Sequence, residues 1–249
     1  LKETSTPIKG SKYLYMGGSA KINGDTWQYD LGIEQDYTLS EDMTIGGSLY
    51  VDGGTLNLNK KKLTVGKNLI QSDGTLKING GNLVVKGDYR IQTESINNQG
   101  QVTYGNSYGY FNMTNQEDYV CIEGNFVTQS YYSHNGSLTK GVLEIKGDII
   151  QKKNTYSYAY RDNFYATGSH KTILSGDKLQ RVIFETAECR FNILELKNYS
   201  EEGVEFNQAL NAGTFINNEC RVKFAGSGLI GWTLTDDQTY EGDLYLGGG

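Results

Sequence analysis

Short runs of alternating apolar and polar residues recur along this chain at a fixed interval of twenty. Met43 and Ile45, Leu63 and Val65, and Leu83 and Val85 hold equivalent places. Leu49, Leu69 and Tyr89 follow them, and Leu56, Leu76 and Ile96 come next. A period of two belongs to β-strands, in which alternate side chains share a face. The recurring apolar positions therefore predict vertical columns facing an interior, with Thr44, Thr64 and Val84 pointing away. Ser48, Asn68 and Asp88 recur at one bend, where short polar side chains can hydrogen-bond neighbouring backbone. Strands and turns repeated at one period predict coils stacked on one another rather than strands wrapped around a single core. The expected fold is all-β: a parallel β-solenoid with coils of about 20 residues and tyrosine-rich loop insertions. It is expected to be right-handed by the usual crossover preference.

The pattern divides the chain into three stretches. Residues 1–37 read as an N-terminal cap or irregular first coils, with short strands at Tyr13-Leu14-Tyr15-Met16 and Lys21-Ile22-Asn23-Gly24. Trp27 and Tyr29 are placed to cover the open end that any solenoid must close. Residues 38–155 carry the regular coils. Here Val120-Cys121-Ile122-Glu123-Gly124-Asn125-Phe126 and Leu143-Glu144-Ile145-Lys146-Gly147-Asp148-Ile149 repeat the earlier phrase after gaps of 37 and 23 residues. Residues 156–249 continue the solenoid with divergent strands at Thr172–Leu174, Gln180–Phe184, Phe191–Leu196, Val204–Phe206, Val222–Phe224 and Leu244–Leu246. No segment has a convincing 3.6-residue period with caps, so almost no helix is expected.

Composition agrees with a thin interior. Only 37% of the 249 residues are hydrophobic, and there are 32 glycines against one proline. With 21% charged and 12% aromatic residues the chain does not have a disordered composition. A net charge of −6 argues against a nucleic-acid partner and against docking on an anionic membrane. No apolar run is long enough to predict membrane insertion through a helix. Leu1-Lys2-Glu3-Thr4 leads straight into polar sequence, which reads as a piece of a longer protein.

Gly-Thr-Leu-x-Leu/Ile-Asn (Gly54–Asn59, Gly74–Asn79) followed by Leu-x-Val-x-Gly-Asn/Asp resembles the tandem repeats of large secreted bacterial proteins. It looks like the parallel β-helical stalks of adhesins and filamentous-haemagglutinin-type exoproteins, firmly over residues 38–151 and loosely over 164–224. The phrase running from His170-Lys171-Thr172-Ile173-Leu174 through Gln180-Arg181-Val182-Ile183-Phe184 to Phe191–Leu196 also looks like repeats of bacterial surface proteins. The resemblance implies a secreted or cell-surface location. It also implies a non-catalytic structural role: a stalk, an adhesin segment or a self-assembling filament subunit joined end to end to copies of itself. The alternative is a glycan-binding or polysaccharide-degrading β-helix protein, an analogy at the level of fold.

Candidate chemistry is sparse. His134 and His170 stand apart with no second histidine at metal spacing, and both are expected at the surface or at corners. Gly105-Asn106-Ser107-Tyr108-Gly109 spells a nucleophile elbow, but the sequence after it is a poor helix start, so it reads as a turn. Glu34-Gln35-Asp36, Glu41-Asp42 and Asp236-Asp237 offer oxygen ligands for Ca2+. The glycine-rich calcium repeat is absent, so no cofactor is expected and calcium is the one candidate. Cys121, Cys189 and Cys220 cannot all pair within the chain and lack ligand spacing; they read as small side chains within rungs, with Cys121 on the outward parity. The best functional candidates are insertion tyrosines: Tyr108, Tyr110, Tyr131, Tyr132, Tyr158 and Tyr160, with Tyr104, Tyr156 and Tyr165 nearby in sequence. Exposed phenol rings suit contact with a cell-surface protein, or stacking on a glycan where two rings are coplanar.

Overall fold

The computed structural model describes residues 26–156, 160–208, 210–217 and 219–224, with the strand backbones Leu14–Met16 and Leu244–Leu246. The strand expected at 21–24, Tyr158 and the acidic pair Asp236-Asp237 lie outside the described residues. The chain forms a parallel β-solenoid of about nine turns, spaced by about 22 residues, with no helix among the described residues. The mean spacing exceeds twenty because insertions lengthen the later coils.

Each regular coil contributes to three ladders. One sheet stacks Met43–Ile45, Lys62–Val65, Asn82–Val85, Tyr119–Ile122, Val142–Ile145, Lys171–Leu174 and Phe191–Leu196. The second stacks Leu31–Ile33, Leu49–Asn57, Leu69–Lys77, Tyr89–Ile91, Phe126–Thr128, Ile149–Gln151 and Gln180–Phe184. Both sheets continue across residues 152–170 through parallel pairs. The third ladder begins where the long strands bend. Register shifts between Val51 and Thr55 mark that corner, and Gly54 and Gly74 occupy it at φ of 58° and 71°. A Cβ on Gly74 would stand 2.5 Å from the Gly54 carbonyl oxygen, so only glycine lets successive corners stack this closely.

The predicted columns are present. Met43, Leu63 and Leu83 are in register, as are Ile45, Val65 and Val85, and Leu49, Leu69 and Tyr89. All are buried in one continuous apolar core. In the third column Leu56 lies over Leu76, but the next place belongs to Phe111, not Ile96. Thr93–Ile96 instead pairs antiparallel with Val102–Gly105 in a hairpin that leaves the coil. Ile96 is 52% exposed opposite Val102, whereas Phe111 is fully buried between Tyr89 and Phe126. The twenty-residue spacing fails there because the chain inserts a whole hairpin before completing the turn. Trp27 joins the Ile45 column and packs on the core. Tyr29, expected to help cover the end, is 73% exposed and touches the edge of Trp27.

The recurrent bend is a ladder of side-chain acceptors. Asp30 accepts from Ser48 N–H, Asn68 from Asp88, Asp88 from Asn125, Asn125 from Asp148, and Asp148 from Arg181, at 2.7–2.9 Å. Each carbonyl or carboxylate oxygen thus satisfies a backbone donor one coil away, which a turning strand would otherwise leave to solvent. Asn125→Ala removes the acceptor for Asp148 N–H and is expected to cost about 1–3 kcal/mol. Asn125→Asp keeps the oxygen and is expected to stay within about 0.5 kcal/mol of the native chain. Urea unfolding of both variants checks this; equal midpoints would show that water serves that N–H just as well.

Candidate contact face

The tyrosine insertions are fixed from beneath by buried polar groups. Ser107 and Ser130 face each other across a parallel bridge, and both are fully buried. Ser107 Oγ donates to the Gln71 carbonyl at 2.7 Å and accepts from Gly109 N–H at 2.8 Å. Ser130 Oγ donates to the Gly109 carbonyl and accepts from Tyr132 N–H. Gln71, itself buried, accepts from the Tyr89 hydroxyl at 2.6 Å and donates to the carbonyls of Gly74 and Tyr110. Asn163 Nδ2 then donates to the Ser130 carbonyl, while its Oδ1 accepts from Gln151 Nε2. Gln151 Oε1 receives the N–H groups of Glu185 and Thr186. This polar spine replaces apolar packing along the corner where the insertions depart. Its members satisfy one another, as buried polar groups must. With its hydroxyl engaged on both sides, Ser107 is a structural residue; the stretch read as a turn instead ends a hairpin strand at Gly105 and makes the parallel bridge at Ser107.

The same alternation turns the tyrosines outward. Ser107 and Gly109 face in, and Tyr108 emerges between them. Tyr108 meets Tyr131 at 5.4 Å between ring centres and Tyr132 at 6.2 Å. Tyr110 meets Tyr132 at 6.4 Å, and Tyr131 meets both Tyr132 at 5.4 Å and Tyr156 at 6.2 Å. Four of the six candidate residues, Tyr108, Tyr110, Tyr131 and Tyr132, thus form one cluster, joined by Tyr156. Tyr160 is tied to it through backbone, donating its N–H to the Tyr131 carbonyl. Among the described residues the exposed pairs cross at angles between 40° and 85°, so none of these makes the coplanar platform expected for sugar stacking. Tyr104 belongs elsewhere: the hairpin lies against the Leu69–Lys77 strand, and Arg90 sits 4.5 Å over the Tyr104 ring. Ile70 and Val127, on the outer parity of this sheet, are buried on that side.

Both histidines are fully buried, contrary to their expected surface or corner placement. His134 stacks flat against Tyr110 at 5.4 Å and 12°, and its Nε2 accepts from Phe111 N–H at 3.1 Å. His170 Nδ1 lies 2.9 Å from the Lys140 carbonyl. Burial pulls each imidazole down to about 4, partly opposed by the backbone of Asn163 at His134 and by the accepting Lys140 carbonyl at His170. His134 falls in an irregular stretch without flanking alternation, whereas His170 continues the inward parity of Thr172 and Leu174 on the Lys171–Leu174 strand.

The remaining groups serve the coils. Asp36 and Asp42 each accept a backbone N–H from the following coil at 2.8 Å. Among the described residues no group of three or more His, Cys, Asp or Glu side chains is arranged to hold a metal ion. All three cysteines are buried and none is in a disulfide. Cys121 keeps its outward parity, stacked between Val84 and Glu144, yet it is only 8% exposed. Burial, followed by the Glu144 charge, raises its thiol above the ordinary range. Beside it Glu144 accepts from the Tyr119 and Ser175 hydroxyls, and Glu195 is held between Lys171 at 2.9 Å and Lys197 at 3.1 Å.

Comparison with protein-family models, curated proteins and solved structures finds no match to the chain.

Proposed function

We propose that the chain is a non-catalytic structural module of an extracellular bacterial surface protein, a stalk-type adhesin segment whose tyrosine cluster is its contact face. The observation that carries this reading is the cluster itself: rings from successive coils touch one another on the flank of a repetitive stack. An internal polar spine holds their backbones. A repeat stack gives reach and rigidity, since each coil is supported by its neighbours. Tyrosine gives contact area at little entropic cost, because only two χ angles must be fixed. The crossed ring planes favour an irregular protein surface over the flat face of a sugar. The bacterial surface assignment rests on the repeat resemblance.

The test is adhesion of beads coated with the chain to cultured epithelial cells under controlled washing. Replacing Tyr108 and Tyr132 by serine is expected to reduce retention about tenfold or more, the effect of losing aromatic anchors worth on the order of 1–2 kcal/mol. Thermal unfolding should stay nearly constant, since both rings are exposed. Equal retention of the two proteins would refute the contact face. No retention of either would refute the adhesin role and leave a passive stalk.

A further inference from the structure

We propose that Tyr108 and Tyr131 form a site of oxidative tyrosine coupling, a covalent stitch between neighbouring coils. This is independent of whether the face binds a partner. It rests on the ring geometry and on the backbone that fixes it. The two rings lie 5.4 Å apart and are tilted by 40°, the least crossed of the exposed tyrosine pairs. Their main chains are tied to each other and to the stack: Tyr131 N–H donates to the Ser107 carbonyl at 2.7 Å, and Tyr108 N–H to the Ser72 carbonyl at 2.9 Å. Tyr108 remains 42% exposed, so an oxidant can reach it. Tyr132 and Tyr156, both touching Tyr131, surround the pair with further phenols.

The chemistry balances with a haem peroxidase and hydrogen peroxide as the oxidant. Each phenol gives up one electron and its hydroxyl proton, leaving a phenoxyl radical whose spin extends to the carbons ortho to oxygen. Two such carbons join in a C–C bond, and their hydrogens move to the oxygens as both rings become aromatic again. The pair has lost two hydrogen atoms, which reduce one hydrogen peroxide to two waters. Coupling of two rings already side by side is an intramolecular step and outruns encounters between chains. Geometry and exposure make opposite forecasts here. Tyr29 and Tyr199 are 73% and 67% exposed, but neither touches a second tyrosine among the described residues.

The experiment treats the full chain, dilute, with peroxidase and limiting hydrogen peroxide, then cleaves it after glutamate. Cleavage separates peptide 95–117, which carries Tyr104, Tyr108 and Tyr110, from peptide 124–144, which carries Tyr131 and Tyr132. Mass spectrometry of the monomer is expected to find these two peptides joined with a deficit of two hydrogens. In Tyr108→Phe, shown to be folded by its unchanged unfolding midpoint, that link should fall by about tenfold or more. Coupling dominated by Tyr29 or Tyr199 between chains would overturn the proposal. So would an undiminished 95–117 to 124–144 link in Tyr108→Phe, or the absence of any link.

Discussion

Phe111→Ala is expected to destabilise the chain by about 3–5 kcal/mol, while Ile96→Ala stays within about 0.5 kcal/mol of the parent. Phe111 is fully buried in register with Leu76, and its ring meets Tyr89 edge-on at 5.3 Å. Truncating it removes a large apolar ring and opens a cavity between two coils that the backbone ladders hold apart, so the site cannot collapse to fill it. Ile96 occupies the position that a strict twenty-residue period would give to the core, yet it sits on the projecting hairpin. Urea midpoints of the two variants therefore separate the structure from the simple repeat. A large loss for Ile96→Ala with a small one for Phe111→Ala would restore the uniform period and dismiss the hairpin.

Acid should weaken the fold between about pH 6.5 and pH 4, well before most carboxylates are protonated. His134 and His170 are buried neutral with folded values of about 4, against an unfolded value of 6.5. Within that window the unfolded chain binds protons that the native chain does not, so stability falls as pH falls. Above pH 6.5 both states hold the imidazoles neutral and the effect vanishes; below about 4 both are protonated and the loss is complete. Each histidine removes about 3 kcal/mol across the window. Burial raises Asp118, which acts in the opposite direction and returns part of the loss as it takes up its proton more readily in the folded state. Glu195, held below its ordinary value by the two lysines against the opposing effect of burial, adds a loss only at lower pH. Denaturation at pH 7 and pH 4.5 checks this. His134→Gln, which can still accept from Phe111 N–H, and His170→Asn should together flatten the slope. A native chain equally stable at both pH values would contradict the buried neutral pair.

The coils were readable in sequence because each apolar column obeys two periods at once, two along a strand and twenty between coils. Leu63 is identified both by Val65 and by Met43 and Leu83. The acceptor ladder is legible for the same reason in Asn68 and Asp88, whereas Ser48, at the same recurring place, joins it only through its backbone N–H to Asp30. Where an insertion breaks the second period, a residue must be placed by alternation alone, which puts Ile96 where the structure has Phe111. The polar spine was missed because buried Gln71, Ser107, Ser130 and Asn163 look like turn residues in a list of letters. A signal was present in Ser107-Tyr108-Gly109-Tyr110, where small residues alternate with tyrosine as inward positions alternate with outward ones. Composition marks the tyrosines, and the structure adds what composition lacks: Tyr108, Tyr110, Tyr131 and Tyr132 touch, while Tyr104 folds back under Arg90.

Parallel, in-register coils with the 93–105 hairpin inserted between Tyr89–Ile91 and Phe111 are what bring Tyr108 beside Tyr131, and a single substitution tests that arrangement directly. Val84 is the register partner of native Cys121, 37 residues away, on the outer face of one sheet. Neighbouring strands lie about 4.8 Å apart, within the Cα separation a disulfide accepts. Val84→Cys is expected to couple to Cys121 under mild oxidation or with a one-carbon dithiol linker, removing two titratable thiols from the folded monomer. Lys86→Cys, two positions along the strand and paired with Glu123 instead, should leave Cys121 free. Coupling in Lys86→Cys without coupling in Val84→Cys would contradict the register, and with it the placement of the tyrosine face.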